Sequence, residues 1–83
     1  MTDTVGKLPP RATDIEEAVL GAIMLEKDAY SNVCELLVPD SFYDPVNRKI
    51  YEAISELGFN QRPIDMMTVT EQLRQDNALD EVG

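Results

Sequence analysis

From Asp44 to Gly58 the apolar and polar side chains recur with the period of a helix. Val46, Ile50, Ala53, Ile54 and Leu57 fall on one face, and Arg48, Lys49, Glu52, Ser55 and Glu56 fall mostly on the other. Asp44 is placed to accept the free N–H groups of the first turn, and Pro45 has its φ pre-set for the first helical position. Gly58 is the permissive residue expected just past the other end. A stripe this wide in mid-chain is stable only if other helices cover it. The chain therefore reads as a small helical package built on this segment.

The rest of the pattern supplies the cover. Residues 1–12 are polar and broken by Gly6, Pro9 and Pro10, which predicts a flexible arm ahead of a helical domain over residues 13–83. Thr13-Asp14-Ile15-Glu16 matches a capping box, with Thr13 as N-cap and Glu16 reaching back to it. The helix that follows is expected to run to Leu25. Its inner stripe is Ile15, Ala18, Val19, Ala22 and Ile23, widened by Leu20 and Met24, which suggests contact on more than one side. Gly21 and the two alanines suit a close approach by another helix. After a short polar break, a second helix from Asp28 to Leu37 puts Tyr30, Val33, Cys34 and Leu37 on one face, and the two should form an antiparallel hairpin. Pro39-Asp40-Ser41 predicts a single tight turn anchored by Phe42 and Tyr43. Beyond a loop from Phe59 to Pro63, Asp65 caps a helix from Met66 to Gln75 in which Met66, Val69 and Leu73 share a face. Asp76 and Asn77 end it, and Leu79 and Val82 are spaced for one more turn. No strand pattern of convincing length occurs. The expected fold is all-α, a small orthogonal bundle of about four main helices plus a short turn. Its core is expected from Ile15, Val19, Ile23, Val33, Leu37, Phe42, Ile50, Ile54, Leu57, Val69 and Leu73.

Charge narrows the partners. Sixteen acidic residues against seven basic ones in 83 give a net charge of −9, which repels nucleic-acid phosphates and anionic membranes. Neither direct nucleic-acid binding nor a membrane partner is expected, and a cytoplasmic location fits a chain with no signal-like or membrane-spanning run. The chain has no histidine and one cysteine, which excludes an internal disulfide, a histidine-based triad and the usual zinc ligand sets. The densest carboxylates, Glu16-Glu17 and Asp80-Glu81, are sequence neighbours that diverge on a helix rather than converging on an ion. Asp14, Asp44 and Asp65 stand at helix starts, where a carboxylate meets free N–H groups and the positive end of the dipole. Gly6-Lys7 lacks the upstream glycine and following Ser or Thr of a phosphate loop, so no ATP site is expected. Cys34 on an apolar face reads as a buried thiol, and Met66 as core filling. Tyr30, Phe42, Tyr43, Tyr51 and Phe59 read as core and rim packing, because Arg48, Lys49 and Arg62 are too few for a nucleic-acid groove. No catalytic, cofactor-binding or metal-binding residue is assigned. The residues by themselves describe an acidic helical interaction module.

Longer strings carry a resemblance. Residues 17–25, Glu-Ala-Val-Leu-Gly-Ala-Ile-Met-Leu, resemble the opening helix of the N-terminal domain of bacterial replicative DNA helicases, the DnaB family. Pro39-Asp40-Ser41-Phe42-Tyr43 is similar to that family's Pro-Glu-Asp-Phe-Tyr turn. Residues 48–54 (Arg-Lys-Ile-Tyr-Glu-Ala-Ile) and 63–69 (Pro-Ile-Asp-Met-Met-Thr-Val) resemble its next two blocks, and Leu73 with residues 79–83 its fifth. The chain departs from the family's usual His at Asn47, its usual Gly at Asn77, and its usual acid at Ser41. The resemblance implies the globular head of a hexameric helicase collar, acting in DNA replication and the primosome, and ending near the start of a helical hairpin. It implies other helicase subunits, DnaG-type primase and a helicase loader as partners, with ATP and Mg belonging to the parent's separate ATPase domain. It assigns no interface residue. The rival expectations are the helicase-binding helical domain of a primase and an unrelated acidic adaptor.

Overall fold

The computed structural model describes residues 12–26 and 28–79. The arm expected over residues 1–12 lies almost wholly outside them, as does Val82. The described elements are all helical: α1 (Ala12–Leu25), α2 (Ala29–Val33), a 3-10 turn (Pro39–Ser41), α3 (Pro45–Phe59) and α4 (Met66–Gln75).

The central helix touches every other element. Its buried side is Asn47, Tyr51, Ala53, Ile54 and Leu57. Leu20 and Ile23 of α1, Phe42, Val69 and Leu73 of α4, and Ala78 close over it. Tyr51 is the hub. Its ring lies 5.1 Å from that of Phe42 and 6.3 Å from that of Tyr30, centroid to centroid, and its hydroxyl donates to the Leu37 carbonyl at 3.0 Å. That bond satisfies a backbone acceptor where α2 has already ended. Burial, with Tyr30 close by, pushes the Tyr51 phenol up, against a bond with Ser55 that lowers it.

The ends of α3 and α4 show why the chain reverses where it does. Asp44 accepts from the Val46 N–H at 2.8 Å, and the Asp65 carboxylate and Thr68 hydroxyl exchange bonds with each other's N–H groups in a capping box. Both helices close with paired 6→1 and 5→2 bonds, Arg62 to Leu57 with Gln61 to Gly58, and Ala78 to Leu73 with Asn77 to Arg74. The left-handed residues of these caps are Gln61 (φ 58°) and Asn77 (φ 59°). Gly58 is therefore not the residue past the end of α3. It lies inside the helix under the Tyr30 ring, where an added Cβ would sit 2.7 Å from Cδ2 and nearer still to Cε2.

Of the expected core, Ile23, Phe42, Ile54, Leu57, Val69 and Leu73 are buried, and Val19, Val33, Leu37 and Ile50 are partly buried against them. Ile15 is not in it, being 61% exposed. The inward side of α1 runs through Glu16, Leu20 and Ile23, rotated by about one residue, or roughly 100°, from the stripe the pattern suggested. Ala18 and Ala22 are exposed with Ile15, and a Cβ added at Gly21 would meet nothing within 4 Å, so no described helix approaches that side. The rotation follows from Glu16, which does not reach back to Thr13. It reaches across to α3, and α1 begins at Ala12, which leaves Thr13 inside the helix.

Three further expectations change. The second helix is only Ala29–Val33. Residues 34–36 are turns, and Val38 is extended (φ −125°, ψ 166°), as the residue before Pro39 prefers. Cys34, at the cap of this short helix, is half-buried, with its Sγ 3.7 Å from the Ser31 carbonyl. Met66 is 68% exposed, because the first side chain of a helix leans toward the N-terminal end, away from the face held by Val69 and Leu73.

Candidate functional site

The densest polar construction joins α1 to the start of α3. The Tyr43 N–H donates to Glu16 Oε2 at 2.6 Å, the Asp44 N–H to Oε1 at 3.3 Å, and Asn47 Nδ2 to Oε1 at 2.9 Å. Arg48 donates from Nε to the Phe42 carbonyl at 2.8 Å and from Nη2 to the Tyr43 carbonyl at 3.0 Å. Desolvation pushes the Glu16 carboxyl up. The bonds from Asn47, Tyr43 and Asp44 and the charge of Arg48 outweigh it and hold the group below its ordinary value. The cluster ties the 43–44 backbone to two helices. Its side chains are engaged with one another and with the backbone of residues 42–44.

Four other carboxylates are also engaged within the fold. Asp44 and Asp65 cap helices, Asp76 accepts from Gln72 Nε2 at 3.2 Å, and Glu71 pairs with Arg74 across one turn of α4. Asp14 lies in the first turn of α1, where its charge suits the dipole. Among the described residues no group of three His, Cys, Asp or Glu side chains could hold a metal ion, and no helix is long and apolar enough to cross a membrane.

The surface carries more apolar material than a charge-rich chain needs. Leu25, Leu36, Phe59, Met66 and Met67 each leave more than two-thirds of their area in water. An open cleft of about 600 Å³ lies between the α1–α2 corner and the loop after α3, with Met24, Tyr30, Pro63 and Ile64 in its lining and Arg62 and Asp65 among the polar residues. These features suit contact with another macromolecule better than capture of a small molecule. Sequence reasoning missed the buried polar pair, Asn47 at 2% exposure and Gln72. The signal for Asn47 was available, since it stands one helical turn before Tyr51 and two before Ile54 on the buried stripe.

The described residues form a small all-helical head with capped helix ends, a polar clamp and exposed apolar side chains. The DnaB-like helicase N-terminal domain model matches residues 8–83, and the chain belongs to that family. It is 44% identical to the replicative DNA helicase DnaC of Bacillus subtilis, over all of this chain and 18% of that protein. It is 41% identical to the replicative DNA helicase DnaB of Rhodothermus marinus, over 94% of this chain and 8% of that protein. The crystal structure of the N-terminal domain of DnaB helicase from Mycobacterium tuberculosis superposes with a TM-score of 0.83 at 37% identity, over 92% of this chain and 53% of that one. The chain thus spans under a fifth of these two relatives' lengths. The family match sets aside both the primase-domain reading and the unrelated adaptor.

Proposed function

We propose that this segment is the assembly and docking head of a replicative DNA helicase, working in DNA replication by holding helicase subunits in a collar and by receiving a DnaG-type primase and a helicase loader. The observation that carries the reading is the use made of polarity. The carboxylates of Glu16, Asp44 and Asp65 are committed to backbone N–H groups, while Leu25, Phe59 and Met67 are left in water. A surface of that kind does work by being covered. The chain holds no phosphate loop, so ATP turnover and unwinding belong to another part of the parent. The test is titration of the purified chain with the helicase's own ATPase domain, with primase and with the loader, alongside steady-state ATP hydrolysis. Saturable binding to at least one of the three and hydrolysis no faster than a blank are expected. Binding to none of them, or ATP turnover by the chain alone, overturns the proposal.

A further inference from the structure

The outward side of α1 is the most unusual surface of the molecule. Ile15, Ala18, Ala22 and Leu25 follow one another at spacings of three, four and three residues, the a and d rhythm of a helix seam. All four are exposed, Ile15 at 61% and Leu25 at 85%. Gly21 lies beside them with open space where its Cβ would be. A helix face of small residues between two large apolar ones admits a second helix at close range, with Ile15 and Leu25 packing at its two ends. Yet the buried residues of α1, Leu20 and Ile23, lie on the other side, where Glu16 is bonded to the start of α3. Of the seam only Leu25 borders a described neighbour, at the edge of the cleft beside Tyr30 and Ile64.

Charge identifies what fits there. The acids left for that seam are Asp14, Glu17 and Glu26, since Glu16 is spent on the other side in the clamp, and the stretch holds no Lys or Arg between Arg11 before it and Lys27 after it. A second copy of this chain would bring the same acids and a net charge of −9 against them. Nucleic acid is repelled for the same reason. We propose that the outward face of α1 is a docking seam for an amphipathic helix of a protein partner, one whose apolar stripe is flanked by Lys and Arg. The proposal rests on the docking reading above and names the face and the chemistry of the occupant. Flanking charges of this kind set partner choice and orientation while the apolar seam supplies the contact area.

Two synthetic helix-forming peptides of three heptads test it, both with Leu at the seam positions, one flanked by Lys and Arg and the other by Glu. They are titrated into the labelled 83-residue chain, with amide shifts as the readout. The basic peptide is expected to bind with shifts centred on residues 15–25, more weakly as salt rises, and roughly tenfold more tightly than the acidic one. Ala18→Glu and Ala22→Glu put a charge into the seam at exposed positions that accept a good helix former, so the fold should persist while binding falls roughly tenfold or more. Leu36→Glu, exposed elsewhere, should leave binding unchanged. Equal binding of the two peptides, indifference to both seam variants, or dimerisation of the chain through residues 15–25 overturns the proposal. The same variants are then titrated with primase and loader. A partner that binds but ignores Ala18→Glu and Ala22→Glu leaves the docking reading standing and removes the seam. Seam-dependent peptide binding with no replication partner does the reverse.

Discussion

Glu16 is the residue on which the register of the first helix depends, and it contributes through three donors rather than through an ion pair alone. Two of those donors are backbone N–H groups just ahead of α3, and the third belongs to the buried Asn47. Removing the acceptor leaves the part-buried Asp44 N–H and Asn47 amide without their partner, while the exposed Tyr43 N–H turns to water, so Glu16→Ala should cost about 1–3 kcal/mol in denaturant melts. Glu16→Gln keeps the shape and one acceptor oxygen and should cost less. The pH dependence has a definite sign. The folded carboxyl titrates below its unfolded value, so its stabilisation is fully present above the unfolded value and is lost as the pH falls through the lower, folded one. Melts of the native chain and of Glu16→Gln between neutral and acid pH should therefore converge at the acid end. A gap that stays constant with pH would show that the carboxylate's charge contributes nothing to the clamp.

At the scale of elements, α3 and its caps set the geometry, and two substitutions near its end should have opposite signs. Gln61 holds a left-handed conformation in the cap, where glycine carries no steric cost. Gln61→Gly should stabilise by about 0.5–1 kcal/mol, the roughly 1–2 kcal/mol of left-handed strain relieved less glycine's larger loss of freedom on folding. Gly58→Ala, which in an open helix would gain about 1 kcal/mol, should instead destabilise, because the new methyl meets the Tyr30 ring. Thermal melts of both variants check the pair, and a stabilised Gly58→Ala would show that Tyr30 moves aside freely. The buried face has its own test. Ile54→Ala should cost about 2–5 kcal/mol and the exposed Glu56→Ala under about 0.5 kcal/mol. Equal losses would misplace the core. The same helix shows what a reader of the sequence could find. Asp44, Pro45 and the 46–57 stripe were legible because capping and periodicity are local. The true cap at Gln61 was hidden, since Gly58 offered a more conventional ending and the glycine's actual reason is Tyr30, 28 positions away in sequence. The α1 face failed for the same reason. Its apolar residues encircle much of the helix, and the tie-break is a bond from Glu16 to residues 43–47, which no local pattern contains. The candidate docking surface was the least legible part, because exposure depends on which residues the tertiary packing leaves over.

For the whole molecule, charge and uncovered apolar surface act against each other, and salt decides between them. Each copy carries −9, so two copies repel at low ionic strength, while the exposed side chains of α1, α3 and α4 favour contact of any kind that buries them. Fully burying a side chain such as Leu25 or Phe59 is worth about 1.5–3 kcal/mol. A few such residues do not offset the cost of association once charge repulsion is added. The chain also covers only 53% of the Mycobacterium tuberculosis domain it superposes on, so a longer stretch of the parent presents more surface to bury. The 83-residue chain should therefore sediment as a monomer in low salt, with at most a weak dimer appearing as salt and concentration rise. Its affinity for primase should be lower than that of a form of the domain as long as the solved relative. Sedimentation of both forms across salt concentrations, with primase titrations in the same buffers, measures the two expectations together. A tight low-salt dimer of the short form would mean that apolar contact between heads outweighs their charge. Equal primase affinity of the two forms would place the whole of the partner surface on residues 1–83.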